Sequence, residues 1–147
     1  MYCYYKDGRL ITSSIPIAGL TPKTLTSEEV NARNLSISLQ SRLAECESAY
    51  QSRLNAGIEY NSKVYDSDDK AQKFITSLVT AFNAGIITKF DGFTLRDNST
   101  VNLTGTQIKE LGGVLLMHVD ACHKWKKAKQ AEINSCTSAD QVRAVTF

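Results

Sequence analysis

The side chains best equipped for chemistry stand close together: His118, Asp120, Cys122 and His123, within the run MHVDACHKW. His118 and Cys122 are four residues apart, which on a helix puts both on one face. There they could supply two ligands to a metal or form a Cys–His nucleophile pair. A metal would need a third ligand from elsewhere, and no HExxH pattern supplies one. Packing at the edge of a core is the plainer reading of this thiol and imidazole. Directly after them, His123-Lys124-Trp125-Lys126-Lys127-Ala128-Lys129 is basic with one aromatic, a composition that can contact phosphate. It falls in the C-terminal half of a helical pattern, where the helix dipole and solvation both favour lysine, so a solvated face is expected. The sequence holds no glycine-rich phosphate loop, no GxSxG and no paired-carboxylate motif. The expectation is a protein without catalytic residues, metal ligands or cofactor.

Composition points the same way. The net charge is +2 over 147 residues, too small to imply nucleic-acid or membrane binding. No apolar run reaches the roughly eighteen residues of a membrane span, and the start MYCYYKDGR lacks the apolar stretch of a signal peptide. Cys3, Cys46, Cys122 and Cys136 lie far apart with no CxxC pair and read as free, buried thiols. Asn34, Asn98 and Asn102 open glycosylation acceptor patterns, which carry little weight without a secretion signal. Apolar residues at 42% can build one core, or a small domain plus an extended arm.

The elements that position these residues follow from caps, turns and periodicity. Tyr2, Tyr4 and Tyr5 precede Lys6-Asp7-Gly8, and Leu10-Ile11-Thr12 follow, which predicts a β-hairpin. It reads either as a docking arm or as a strand pair folded back on the domain. Ser13–Leu25 is a connector: Pro16, Gly19 and Pro22 prevent regular helix, while Ile15, Ile17 and Leu20 are too apolar for a free linker and suit a surface groove. Thr26 with Glu29 forms a capping box and opens a first long helix, with Gly57 beyond its end. Its apolar residues Leu35, Leu39, Leu43, Cys46, Tyr50 and Leu54 make a narrow stripe. The stripe fits either a seam between subunits, favoured for the N-terminal half, or packing on the second long helix, favoured for the C-terminal half.

Ile58–Tyr65 reads as a second hairpin around Asn61-Ser62. Asp66 or Ser67 is expected to cap a shorter amphipathic helix whose Ala71, Phe74, Ile75, Leu78, Val79 and Phe82 should supply most of the core, with Gly85 ending it. A third hairpin pairs Phe93–Arg96 with Thr100–Leu103 across Asp97, Asn98 and Ser99. Thr104 and Gln107 then form a second capping box for a helix of about eight turns. Ile108, Leu111, Leu115, Val119, Cys122 and Trp125 line one of its faces, and Gly112-Gly113 predicts the close approach of a helix or an aromatic ring. Thr137 caps a last short helix. The fold class is mainly α with short β-hairpins (α+β), with two long helices and one shorter amphipathic helix. Residues 1–25 form an N-terminal hairpin and anchoring arm, and residues 26–147 a helical domain. The side chains expected to bind partners are Tyr2, Tyr4, Tyr5, Ile15, Ile17, Leu20, Leu35, Leu39 and Leu43.

The order of these elements carries a resemblance. IEYNSKVYDSDDKAQKFI, then RDNSTVNLTGTQIKELGGVLLMHVDACHKWKKAKQAEINSCTSADQV, resembles family 4376 of the domains of unknown function, over roughly Ala32 to Val145. Its more specific parts are Asp97-Asn98 followed by Val101-x-Leu103-Thr104, the run His118-Val119-x-x-Cys122, and the tail Ala131–Ala144. The family often carries Trp just before the Asp-Asn pair, where this chain has Phe93 and Leu95. It occurs in tail and tail-fibre-associated proteins of tailed bacteriophages. The resemblance implies a virion or virion-assembly protein in the tail, passing through the host cytoplasm during assembly. It implies other tail, baseplate or fibre proteins as partners, and a homo-oligomer, with a trimer favoured because such fibres are commonly threefold. It brings no catalytic residue with it.

Overall fold

A computed structural model describes residues 2–6 and 9–147 of the chain. The expected turn at Asp7-Gly8 and the side chain of Tyr5 lie outside the described residues. The order is β1 (Tyr2–Lys6), β2 (Arg9–Ser13), α1 (Ser27–Leu54), β3 (Ile58–Tyr60), β4 (Lys63–Tyr65), α2 (Asp69–Asn83), β5 (Lys89–Thr94), β6 (Thr100–Thr104), α3 (Gly105–Asn134) and α4 (Ala139–Ala144). Among the described residues the strands pair as sequence neighbours, β1 with β2, β3 with β4 and β5 with β6, all antiparallel. This is the α+β architecture expected, with helix predominant.

Local chemistry sets the boundaries. Both long helices open with complete capping boxes: Glu29 N–H donates to Thr26 Oγ1 and Thr26 N–H to Glu29 Oε2, and Thr104 with Gln107 repeats the exchange. Asn61 and Ser62 both take positive φ, the geometry of a two-residue hairpin turn. At the end of α2, Gly85 N–H donates to the Phe82 carbonyl and Ile86 N–H to that of Ala81, a Schellman closure that needs the positive φ of Gly85.

Two caps differ from expectation. Asp68, not Asp66 or Ser67, caps α2 through Oδ1 and the Ala71 N–H at 2.8 Å. Ser67 is fully buried and otherwise engaged: its hydroxyl donates to the Leu54 carbonyl at 2.5 Å and accepts from the Gly57 N–H at 3.0 Å. Ser138, not Thr137, caps α4 through the Gln141 N–H, while Thr137 itself bonds the Gln141 side chain.

Two cores share α3. Its first half packs with α2 and the second and third hairpins around Ile58, Tyr65, Ile75, Leu78, Leu103, Ile108 and Leu111. Its second half packs with α1 and α4 around Cys46, Ile133, Val142 and Val145. Glycine admits the neighbours closely. A Cβ on Gly112 would stand 2.6 Å from Val79 Cγ2, so the close approach expected at the glycine pair occurs at Gly112, whereas Gly113 faces open space. A Cβ on Gly105 would overlap the Phe82 ring. Phe74 departs from its expected place in the core: it is 43% exposed.

Candidate interaction surfaces

The N-terminal hairpin and the connector close on each other. Tyr4 is fully buried, its hydroxyl accepts the Ile17 N–H at 2.9 Å, and its ring stacks on Tyr2. Lys23 N–H donates to the Cys3 carbonyl at 2.7 Å. Ile17 and Leu20 are half-buried as a result. Tyr4, expected to bind a partner, is covered in this structure by the arm of its own chain. Among the described apolar side chains of the hairpin and arm, Ile15, at 69%, and the outer part of Tyr2 are exposed. On the helical side, Arg33 Nη2 reaches Thr12 Oγ1 at 3.4 Å, which sets β2 beside the face of α1 that carries exposed Val30 and Ile37.

The stripe of α1 faces its own chain. Leu35, Leu39 and Leu43 pack half-buried against the core of Cys46, Ile133, Val142 and Val145. The sequence favours a subunit seam for this half of the stripe; within the chain, the short helix α4 packs beside these residues, and periodicity on α1 cannot say which helix lies there. Arg42 fastens the cover: its guanidinium donates to the Val145 carbonyl and lies 4.3 Å from the centre of the Phe147 ring.

His118 and Cys122 come together beside α1, lining with Arg53, Ala56 and Trp125 a cavity of about 310 Å³. His118 Nε2 lies 3.1 Å from the Leu54 carbonyl and 3.8 Å from Cys122 Sγ. A carbonyl can only accept, so Nε2 carries the hydrogen and has no lone pair to take a proton from the thiol. Burial also pushes the Cys122 thiol up, which favours the unreactive form. Arg53 covers the Trp125 ring at 4.2 Å. Of the lysines that follow, Lys124 pairs with Asp120, Lys126 with Glu47 and Lys129 with Glu132. Among the described residues, no group of three or more His, Cys, Asp or Glu side chains is placed to hold a metal, and no helix is long and apolar enough to cross a membrane.

A further surface was not anticipated. Phe90 and Phe93 would face opposite sides of a regular strand, being three residues apart. A bulge between them, with Gly92 at positive φ and its N–H bonded to the Asn102 side chain, sets them opposite Leu103 and Val101, and both turn toward α2. There they meet Phe74, with ring centres 5.4 and 5.6 Å from it. Exposed Phe74, with half-buried Phe90 and buried Phe93 beneath it, lines a groove bordered by Asp66 and Asp68. The signal was present in FDGF, where a glycine inside a strand pattern marks a bulge.

Residues 39–146 match the model of a protein family described as Domain of unknown function (DUF4376). The match begins within α1 and runs past α4, leaving β1, β2 and the arm outside it. No curated protein and no solved structure matches the chain.

Proposed function

The chain belongs to the DUF4376 family, and on that premise we propose that it is a structural component of a tailed-bacteriophage virion, acting through protein–protein interfaces and not as an enzyme. It would serve as a tail, baseplate or tail-fibre attachment protein, in the virion tail and, during assembly, in the host cytoplasm. The virion setting comes from the resemblance of the sequence to phage tail-associated domains. The observation that carries the mode of action is the division of the chain. A family-matched body is preceded by a hairpin and arm that close on each other and leave Ile15 and part of Tyr2 in solvent. In this reading the arm grips a neighbouring tail, baseplate or fibre protein. Self-association, as the trimer a threefold fibre favours, would use the exposed Val30–Ile37 face of α1, since Leu35, Leu39 and Leu43 are already covered.

Mass spectrometry of purified particles, with copy number, tests the reading. A stoichiometric protein is expected. Its presence in infected cells but absence from finished particles would refute the structural role and favour a fibre-assembly chaperone. A chain lacking residues 1–25 is expected to stay helical and cooperatively folded yet fail to enter particles.

A further inference from the structure

The groove beside α2 combines an aromatic floor with an acidic border. Its floor is aromatic: Phe74, Phe90 and Phe93 stand with ring centres 5.4 to 6.3 Å apart. Phe74 remains 43% exposed although it belongs to the apolar face of an amphipathic helix. Its border is acidic: Asp66 and Asp68 line the same space of about 550 Å³. Asp68 is fixed by its capping bond to the Ala71 N–H, and among the described residues neither carboxylate takes part in an ion pair. Lys70 also lines the space, on a stem long enough to swing its ammonium into water.

Aromatic faces carry negative electrostatic potential, and cations are drawn to them. Two carboxylates at the border repel anions and favour positive charge. Together they suit a group with an apolar stem and a cationic head, while an uncharged apolar side chain would leave the border unmatched. We propose that this groove takes an arginine or lysine side chain presented by a segment of a partner protein. The inference rests on charge complementarity and stands apart from the virion reading, so either can fail alone.

The test is an NMR titration of the full chain with acetyl-Gly-Arg-Gly-amide and with its counterpart carrying citrulline, the uncharged isostere of arginine. The arginine peptide is expected to shift signals of Ala71, Phe74, Gly92 and Thr94. It should bind about threefold or more tightly than the citrulline peptide, and about 0.5 M salt should weaken it. Phe74→Leu, Asp66→Asn and Asp68→Ser, the last keeping a competent cap, should each weaken it about 2- to 5-fold. Asp66 is exposed, so Asp66→Asn reads charge without disturbing the fold. Equal binding of the two peptides, or shifts confined to other surfaces, would overturn the proposal. So would the same shifts appearing on concentrating the chain without peptide, which would mean that a second copy fills the groove.

Discussion

Replacing Gly105 by alanine should destabilise the protein, although alanine is ordinarily the better helix residue. A Cβ on Gly105 would overlap three atoms of the Phe82 ring, Cε2, Cζ and Cδ2, the farthest of them at 2.5 Å. Carbon atoms in contact prefer about 3.5–4.0 Å, so the ring must withdraw by about 1 Å or more. Phe82 sits in the last turn of α2, where the Schellman closure fixes the backbone, and Lys109 lies over its ring. Overpacking of this kind costs about 1–3 kcal/mol. Gly105 is the first residue of α3, where little helix propensity is gained in return. Gly113 is the control. It lies in the interior of the same helix with nothing near its would-be Cβ, so Gly113→Ala should stabilise by about 0.5–1 kcal/mol. With an m-value of about 2 kcal/mol per molar urea, the midpoints should separate by roughly 0.7–2 M, on opposite sides of the parent. The double variant Gly105→Ala/Phe82→Leu should recover part of the loss. Midpoints of Gly105→Ala and Gly113→Ala that move in the same direction would refute the steric argument.

Three other outcomes follow from single contacts. Ser67→Ala should cost about 1–3 kcal/mol in urea unfolding, because the Gly57 N–H loses its acceptor while the Leu54 carbonyl keeps His118; an unchanged midpoint would show the hydroxyl to be dispensable. Ile133→Ala, at a fully buried site, should cost about 2–5 kcal/mol and clearly more than Phe74→Ala, and the reverse order would place the core wrongly. Burial, helped by its hydrogen bond to the Glu110 carboxylate, pushes the Tyr60 phenol up to about 12 from an ordinary 10. Between those values the unfolded chain binds fewer protons than the folded one, so stability is full below about pH 10 and falls toward pH 12. Tyr60→Phe should lose stability less steeply over that window in alkaline denaturation, and an identical profile would remove the assignment.

The starts of the two long helices and the second hairpin turn were legible because each is a local matter, whereas the caps of α2 and α4 fell one or two residues from where they were expected. A threonine with Glu or Gln three residues on caps a helix wherever the rest of the chain goes, and Asn61-Ser62 turns whatever it packs on. Coverage was less legible. The stripe Leu35–Leu43 is genuine, but α4 is six residues long and shows no strong pattern that would assign it to that face. Ile133 escaped notice because Lys126 and Lys129 interrupt the stripe after Trp125. Their side chains are only 24% and 23% exposed, so their stems lie along the apolar surface while their heads reach Glu47 and Glu132. Phe74 fits its helical pattern without exception, and a pattern records which side of a helix is apolar, not whether anything closes over it. The bulge at Gly92 mattered most, since without it Phe90 and Phe93 would not share a side and the aromatic floor would not exist.

The joint between the two cores is small and polar, and it sets what the chain can vary. The Leu54 carbonyl, at the last residue of α1, receives both Ser67 from the start of the α2 segment and His118 from the middle of α3. Arg96, just beyond β5, donates to the carbonyls of Asn55 and Ala56 in the same turn. Three separate parts of the chain thus use the backbone acceptors that a helix end leaves unpaired. Apolar contact alone would let α1 slide along α3, because a stripe of leucines fits several registers. Hydrogen bonds directed at one helix end select a single register. That places the face of α1 bearing Val30 and Ile37, together with the hairpin that Arg33 holds beside it, at one end of a helix roughly 40 Å long. The aromatic groove borders the core at the other end. If the arm and the groove each take a partner as proposed, that single register would hold the two apart on one rigid helix.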